Sequence, residues 1–525
     1  MEPPRLFFIE TPSRGTTPVI ARKNNRQSER SRRPPTFEHA LDRAGLFGAY
    51  QIFTCAVIQY ISIEWAGTYS FMLNVGSLEP TWQCNDTGRT VRWTQSNRTD
   101  DDGSCNCSDL TIYSSDFKSV VEEWKLICDK SKYAVLIFLF YLIGQILGMV
   151  FGGHIGDHLG RKTGFFTSQF CVIVTSVMAI AATDWQGFAT CQLLNGFFLG
   201  IIETTSITLM MEYTDSQYRL IPNAVFQWTF GYMVAALVAW LCREMGWRYY
   251  LIFLNLLSAP VLLGFMLFNE SPRWLIVKGK LKKAALVLTD ISRRWNGTYH
   301  IFESEDLSEI PRDPFWRPYN AFHLFSTKPL AIQSSLQMLS MFTLSLLNDN
   351  YNRSIRAMSG SIFLHMFYFG LFRFWVPILI IYLDYKVPRF GRKLLYLSSL
   401  GLSIVCVLVS LILLWAGLPE SHWSIVALDI VSTLNNESAF AMAVIQITAV
   451  AYPTVVRCIA FGTLHMTKHV GVMVDMLIIS ILRDIWKPWS YIIPLVFGCL
   501  TFVLAVIYQP ETKGTPLPDL IEELD

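Results

Sequence analysis

The stretch Gly152-Gly-His-Ile-Gly-Asp-His-Leu-Gly-Arg-Lys162 gathers glycine and charge between two long apolar runs. Elsewhere the chain avoids charge. Of its 525 residues, 52% are hydrophobic and only 16% charged, a composition suited to lipid rather than to an ordinary soluble domain. Apolar runs of about 20 residues cross about 30 Å of hydrocarbon as helices, because only helices and closed barrels satisfy their own backbone there. Working outward from the stretch, such runs fall at 47–72, 132–152, 163–183, 187–211, 222–242, 249–268, 331–348, 358–383, 394–416, 423–446, 459–482 and 489–509. They are continuous rather than alternating, which argues against a membrane β-barrel. The seventh and eighth are the least regular, because Asn348-Asp-Asn-Tyr-Asn-Arg353 interrupts them.

Residues 1–46 form a basic arm that includes Arg22-Lys-Asn-Asn-Arg-Gln-Ser-Glu-Arg-Ser-Arg-Arg33. The arm reads as disordered and, by the positive-inside tendency, as cytoplasmic. The loop after the first span, 73–131, then faces outward. It carries three N-glycosylation patterns, at Asn85, Asn97 and Asn106, and four cysteines, Cys84, Cys105, Cys107 and Cys128. In an oxidising exterior four cysteines suggest two disulfides, with three pairings open. A fourth acceptor pattern, Asn436-Glu-Ser438, lies inside a span and reads as chance. A polar cytoplasmic linker, 269–330, divides an N-terminal bundle (47–268) from a C-terminal one (331–509), and a cytoplasmic tail (510–525) follows. The protein is thus expected to be a multi-pass protein of the cell membrane, with the lipid bilayer as its surroundings and both termini inside. A net charge of +2 gives no reason to invoke nucleic acid. No metal-ligand spacing, cofactor fingerprint, nucleotide-binding loop or nucleophile motif is present, which points away from an enzyme or an ATP-driven pump and implies no cofactor. Nothing in the sequence fixes the oligomeric state.

In the opening stretch the pattern Gly153-x-x-x-Asp157-x-x-Gly160-Arg161-Lys162 suits a tight turn between spans two and three. Asp157 can accept from a neighbouring helix terminus or pair with Arg161. This turn resembles the loop signature of the major facilitator superfamily, where it stabilises the outward-open state. Asn269-Glu-Ser-Pro-Arg-Trp-Leu275, Tyr452-Pro-Thr-Val-Val-Arg457, Pro510-Glu-Thr-Lys-Gly514 and Trp124-Lys-Leu-Ile-Cys-Asp129 narrow the resemblance to the organic cation, anion and zwitterion transporter branch, the solute carrier family 22-like proteins. The resemblance implies an all-α membrane protein with the twelve-helix major facilitator fold: two six-helix bundles related by a pseudo-two-fold axis, a glycosylated extracellular loop after the first helix, and a midplane site reached by alternating access. It assigns gating roles to Gly153, Asp157, Gly160, Arg161, Lys162, Glu270, Arg273, Gly391, Arg392 and Arg457.

Departures from the branch carry the substrate reading. The second copy of the signature, Pro388-Arg-Phe-Gly-Arg-Lys393, has proline where an acid is usual, and the nearest acid is Asp384, so this latch is expected to be weaker. In span four Gln192 stands where the family often has an arginine, so proton coupling of the kind associated with that arginine is not expected. Twelve residues beyond Arg457, where cation carriers of the branch place aspartate and anion carriers arginine, stands His469, beside Lys468. Two further acids of cation carriers are replaced by Val450 and Arg373. Charge facing a low-dielectric cavity favours a guest of opposite sign, so His469, Arg373 and Lys468 lean toward anions or zwitterions. Asn348 stands near where the branch has a tyrosine, and Gln227 and Phe230 supply further lining. Glu64 and Glu203 are intramembrane acids with a substrate or coupling role in view. The reading is a plasma-membrane carrier of small organic ions. The competing readings are an organic cation or carnitine-type transporter, and a receptor-like member of the fold that no longer transports.

Overall fold

The computed structural model describes residues 37–45, 47–84, 90–92, 110–215, 218–225, 229–310, 319–357, 360–482, 486 and 488–520. Its twelve long segments are labelled α1 to α12. In the first half, α1 is Ala49–Ser70, widened into a π turn at Phe71–Val75, followed by α2 (Ser131–Leu159), α3 (Arg161–Ile180) and α4 (Trp185–Tyr213). Next come α5, in two described pieces (Leu220–Val225 and Thr229–Leu241), and α6 (Trp247–Ser258), which tightens into a 3-10 helix at Ala259–Met266. In the second half, α7 is Lys328–Ala357, α8 is Ile362–Lys386 and α9 is Arg392–Trp415. The last three are α10, which runs from Trp423–Asn435 through a π turn at Asn436–Phe440 into Ala441–Ala451, α11 (Arg457–Leu482) and α12 (Trp489–Tyr508). Eight of the twelve are long and apolar enough to cross a membrane unaided: α2, α3, α4, α6, α7, α8, α9 and α12. The other four are interrupted or carry buried polar groups. Two large apolar cores form, one chiefly from α1 to α6 and the other chiefly from α7 to α12.

Three expectations need correction. The polar run Asn348–Arg353 does not break the seventh span, because α7 continues helically through it to Ala357. An α-helix satisfies its own backbone whatever the side chains, so polar residues change what the helix can face without ending it. The arm is not irregular to its end either: Phe37–Ala44 is a helix whose Phe37 and Leu41 pack with Trp274, Leu288 and Phe302 of the 269–330 segment. That segment is itself folded, with helices at Pro272–Val277 and Leu281–Asp290. Finally, the all-helical reading omits a three-stranded antiparallel sheet in the long loop, β1 (Thr81–Cys84), β2 (Thr90–Arg92) and β3 (Leu110–Ser114), in the order β2-β1-β3, with Trp82 paired to both Val91 and Ile112. The loop is anchored to α6: Trp247 donates through its indole to Glu123 at 2.7 Å, and Arg248 ion-pairs with the same carboxylate. Asn85, Asn97, Asn106, Cys105 and Cys107 lie outside the described residues; Cys84 ends β1, and Cys128 opens a 3-10 turn.

Glycines set the closest packing. A Cβ on Gly144 or Gly148 of α2 would strike the carbonyl oxygens of Leu193 and Phe197 on α4, and one on Gly200 of α4 would meet Gln145 O at 2.6 Å. Small residues at membrane helix interfaces permit such backbone contact. The same face of α2 continues onto the other bundle, where a Cβ on Gly153 would lie 2.7 Å from Ile459 Cα of α11, and one on Gly462 would strike Met149 O. The two bundles therefore touch through α2 and α11 at one end of the molecule. This end, which also holds the 269–330 segment, is called the latch end below.

Candidate functional site

At the latch end, Gly160 has φ +114°, a conformation that favours glycine, and lets α2 turn directly into α3. The new helix begins with unsatisfied N–H groups, and Glu270 fills them: Arg161 N and Lys162 N donate to Glu270 Oε1 at 2.9 and 3.2 Å. Burial raises the Glu270 carboxyl above its ordinary value of 4.5, opposed by these backbone donors. Lys162 points away, with Nζ 4.2 Å from the Phe265 ring.

Arg161 is fully buried and donates to Asp157 Oδ1 (2.7 Å), Glu212 Oε1 (3.1 Å) and, across the halves, Thr454 O (3.1 Å). Asp157 uses its second oxygen to accept from Ile459 N at 2.9 Å, capping the start of α11. Glu212 also takes Arg457 at 3.3 Å, so one buried carboxylate joins an arginine from each half. Arg457 further donates to Thr454 Oγ1 and Pro518 O, at 2.9 Å each. Arg273 lies over the Phe37 ring and donates to Asp519 Oδ1 at 2.9 Å, while Thr454 Oγ1 donates to the same oxygen at 2.7 Å. The halves are thus bonded together at this end.

The second copy of the motif is built the same way from different residues. Glu511 accepts from Arg392 N (2.8 Å) and Lys393 N (3.2 Å), as Glu270 does on α3, and the space at Gly391 is taken by that carboxylate. Asp384 stands in for the missing acid, bonding Arg392 at 2.9 Å and Lys513 at 3.0 Å. These described bonds stay within the C-terminal bundle.

Midway along the spans two acid–base groups occur. Arg373 of α8 ion-pairs with Glu437 of α10 and donates to Glu437 O at 2.8 Å, while Asn348 of α7 donates to Glu437 Oε1 at 3.4 Å. Glu437 sits on the π turn of α10, and its side chain is 29% exposed, so this carboxylate has an open side. Arg373 Nε and Asn348 Oδ1 are buried with no hydrogen-bond partner among the described residues. The second group joins the bundles: His465 Nδ1 of α11 lies 2.9 Å from Glu203 Oε1 of α4, and His469 Nε2 lies 3.7 Å from Glu203 Oε2. His469 therefore faces α4 and is 1% exposed. Lys468 is half-buried, Phe230 is half exposed on α5, and Gln227 lies outside the described residues. Glu64, by contrast, accepts from Gln169 of α3 at 2.7 Å within the first bundle.

The family model described as sugar (and other) transporter matches residues 65–524. The chain belongs to that family. The transporter is 25% identical over 424 residues to an uncharacterized protein of Caenorhabditis elegans (79% of this chain, 82% of that one). It is 25% identical over 419 residues to rabbit solute carrier family 22 member 1 (80% and 74%) and 24% over 436 residues to human organic cation/carnitine transporter 2 (80% and 74%). Among solved structures it is similar to the proton:xylose symporter XylE bound to 6-bromo-6-deoxy-D-glucose, with a TM-score of 0.63, 17% identity and coverage of 91% of this chain and 99% of that one. The inward-open form of the xylose transporter from E. coli gives 0.55 at 13% identity, covering 90% and 99%. The fold is that of the major facilitator superfamily, and the protein is a membrane transporter rather than an enzyme.

Sequence reasoning missed several participants, among them Glu212, one residue past the fourth apolar run, His465 within the eleventh, and Glu437 inside a chance glycosylation pattern. The available signal was cost: an acid or imidazole in a membrane span needs a partner, so each asked for one.

Proposed function

We propose that this transporter carries small zwitterionic organic ions across the plasma membrane by alternating access, with the latch end and both termini toward the cytoplasm. The observation that carries the reading is the Arg373–Glu437 pair with its open side. A purely anionic or cationic guest would satisfy one member and strand the other, at a cost of several kcal/mol in a buried site. A guest bearing both a carboxylate and an ammonium can exchange partners with the pair, and Asn348 supplies a further polar contact. The lean toward simple anions loses its ground, because His469 and Arg373 each face a carboxylate, Glu203 and Glu437. The similarity to a protein named organic cation/carnitine transporter supports the zwitterion class, carnitine being both cation and carboxylate.

Uptake of labelled L-carnitine, tetraethylammonium and p-aminohippurate by the reconstituted protein tests the reading. Saturable carnitine uptake, strongly reduced in Arg373→Lys and Glu437→Gln proteins that melt like the wild type, is the expected outcome. Saturable uptake of tetraethylammonium or p-aminohippurate alone would overturn it. Absence of flux for all three from a well-folded protein would favour the receptor-like alternative.

A further inference from the structure

The zwitterion reading leaves Glu203, His465 and His469 without a task. They come from different bundles, α4 and α11, and their side chains are 1%, 5% and 1% exposed. Among the described residues the basic groups within ion-pair distance of Glu203 are these two imidazoles, with no guanidinium among them. Glu203 Oε2, His465 Nε2 and both ring nitrogens of His469 are buried without a hydrogen-bond partner, so the cluster has more polar atoms than bonds. What sets it apart from the arginine latch is its bases: imidazoles take up and release a proton near neutral pH, whereas guanidinium groups stay charged.

The elements around it add little compensating charge. From α2 come the buried Tyr141 phenol and Gln145 amide, both uncharged. On α11 itself the half-buried Lys468 ammonium adjoins His469. α7 meets α11 through uncharged groups, Met338 O accepting from Thr467 and Ser345 lying against Gly471. α3 meets α4 through Asn195 and Ser176, and α1 through Tyr50 and Tyr213.

With both imidazoles neutral, Glu203 would keep its hydrogen bond from His465 but have no positive partner within ion-pair distance among the described residues. With one proton added, a carboxylate and an imidazolium balance, and the other imidazole remains as an acceptor. Burying a balanced pair costs far less than burying a lone charge.

We propose that Glu203, His465 and His469 form a proton-binding site that is complete only while the latch end is closed, and that moves one proton inward in each transport cycle. An external proton binds an imidazole nitrogen of the closed cluster. When the halves part at the latch end, α4 and α11 separate, the imidazolium loses its carboxylate, and the same proton leaves to cytoplasmic water. No covalent bond other than N–H is made or broken, and the imidazole returns neutral.

The proposal rests on the transport reading for its direction, but its test can be separated from it. The protein is reconstituted into liposomes with the membrane potential clamped at zero, and labelled L-carnitine is the probe. One arm measures carnitine exchange at equal pH on both sides. The other measures net accumulation with the outside at about pH 6.0 and the inside at about pH 7.5, a gradient that supports up to about 30-fold accumulation for one proton per substrate. Wild-type protein is expected to exchange and to accumulate. Glu203→Gln and the double variant His465→Gln/His469→Gln are expected to retain measurable exchange while the accumulation ratio falls to about one, the ratio at equilibrium without a driving gradient. Wild-type exchange without gradient-driven accumulation, or accumulation that survives Glu203→Gln, would overturn the proton site and leave the zwitterion reading standing.

Should carnitine not exchange, the zwitterion reading fails, and the proton site is judged alone by infrared difference titration of the substrate-free reconstituted protein. Carboxylate and imidazole bands that change between about pH 5 and 9 and disappear in the Glu203→Gln and double variants are then expected. Identical difference spectra from wild type and variants would overturn the proposal.

Discussion

Glu212→Gln isolates what holds the latch end shut. The carboxylate is fully buried and shared between Arg161 at 3.1 Å and Arg457 at 3.3 Å. Replacing it with an amide keeps one acceptor and most of the shape while removing the negative charge. Arg161 still has Asp157, but among the described partners Arg457 retains neutral oxygens, those of Thr454, Tyr452, Ala449 and Pro518. Breaking a buried pair costs about 3–5 kcal/mol, and the remaining acceptor favours the lower figure. About 3 kcal/mol taken from the closed state shifts the closed-to-open ratio by about 100-fold. Cys458 is a native reporter: its thiol is fully buried between α2 and α4, with Sγ 3.8 Å from Gly152 O and 3.9 Å from Thr204 O. Labelling of Cys458 by an impermeant maleimide from the latch side, read by mass spectrometry, is expected to accelerate by one to two orders of magnitude in Glu212→Gln. Glu511→Gln serves as the control, because its described bonds stay within one bundle, and is expected to leave the rate near wild type. A Glu212→Gln protein that melts normally yet labels within about twofold of wild type, a difference of less than about 0.5 kcal/mol, would refute the assignment of the latch.

Other substitutions probe neighbouring features. Gly160→Ala puts a Cβ against the Glu270 carboxylate at a positive φ, and is expected to cost about 1–3 kcal/mol, seen as a lower midpoint in thermal scanning fluorimetry. Asp384→Asn removes the acid shared by Arg392 and Lys513, and is expected to destabilise the protein more than Glu309→Gln at an exposed position of the 269–330 segment. Burial raises the Glu270 carboxyl, so its proton is held more tightly folded than unfolded; the resulting stabilisation is full below about 4.5 and is lost as pH rises through the raised value. Melting midpoints of wild type relative to Glu270→Gln should therefore decline across that window, and a rising difference would contradict the burial argument. His469→Asp places a second carboxylate beside Glu203 in a buried seam, and is expected to lower the melting midpoint in thermal scanning fluorimetry.

The spans were legible because continuous apolar runs of membrane length have few other uses, and the latch because its glycine and charge spacing is distinctive. What the sequence withheld was partnership across distance. Glu203 and His465 are separated by 262 positions, and Arg161 and Thr454 by 293, so nothing local joins them. Asn348–Arg353 misled for the opposite reason: polarity was read as a break where the backbone needed none. The acid missing before Gly391 is replaced by Asp384, which lies near the end of α8 and reaches Arg392 of α9 when the two helices fold together.

The glycine seam between α2 and α11 has a mechanical corollary. Gly153, Gly156 and Gly462 bring main chain close to the opposing helix and contribute no Cβ to the contact. At these positions the two surfaces can separate like smooth plates, since a glycine has no side chain to disengage. Resistance to parting is then lodged in a handful of polar contacts at the rim, which makes the opening frequency tunable by single residues there. A bulky residue at Gly462 would act in the other way, as grit between the plates, wedging the seam so that it could no longer shut flush.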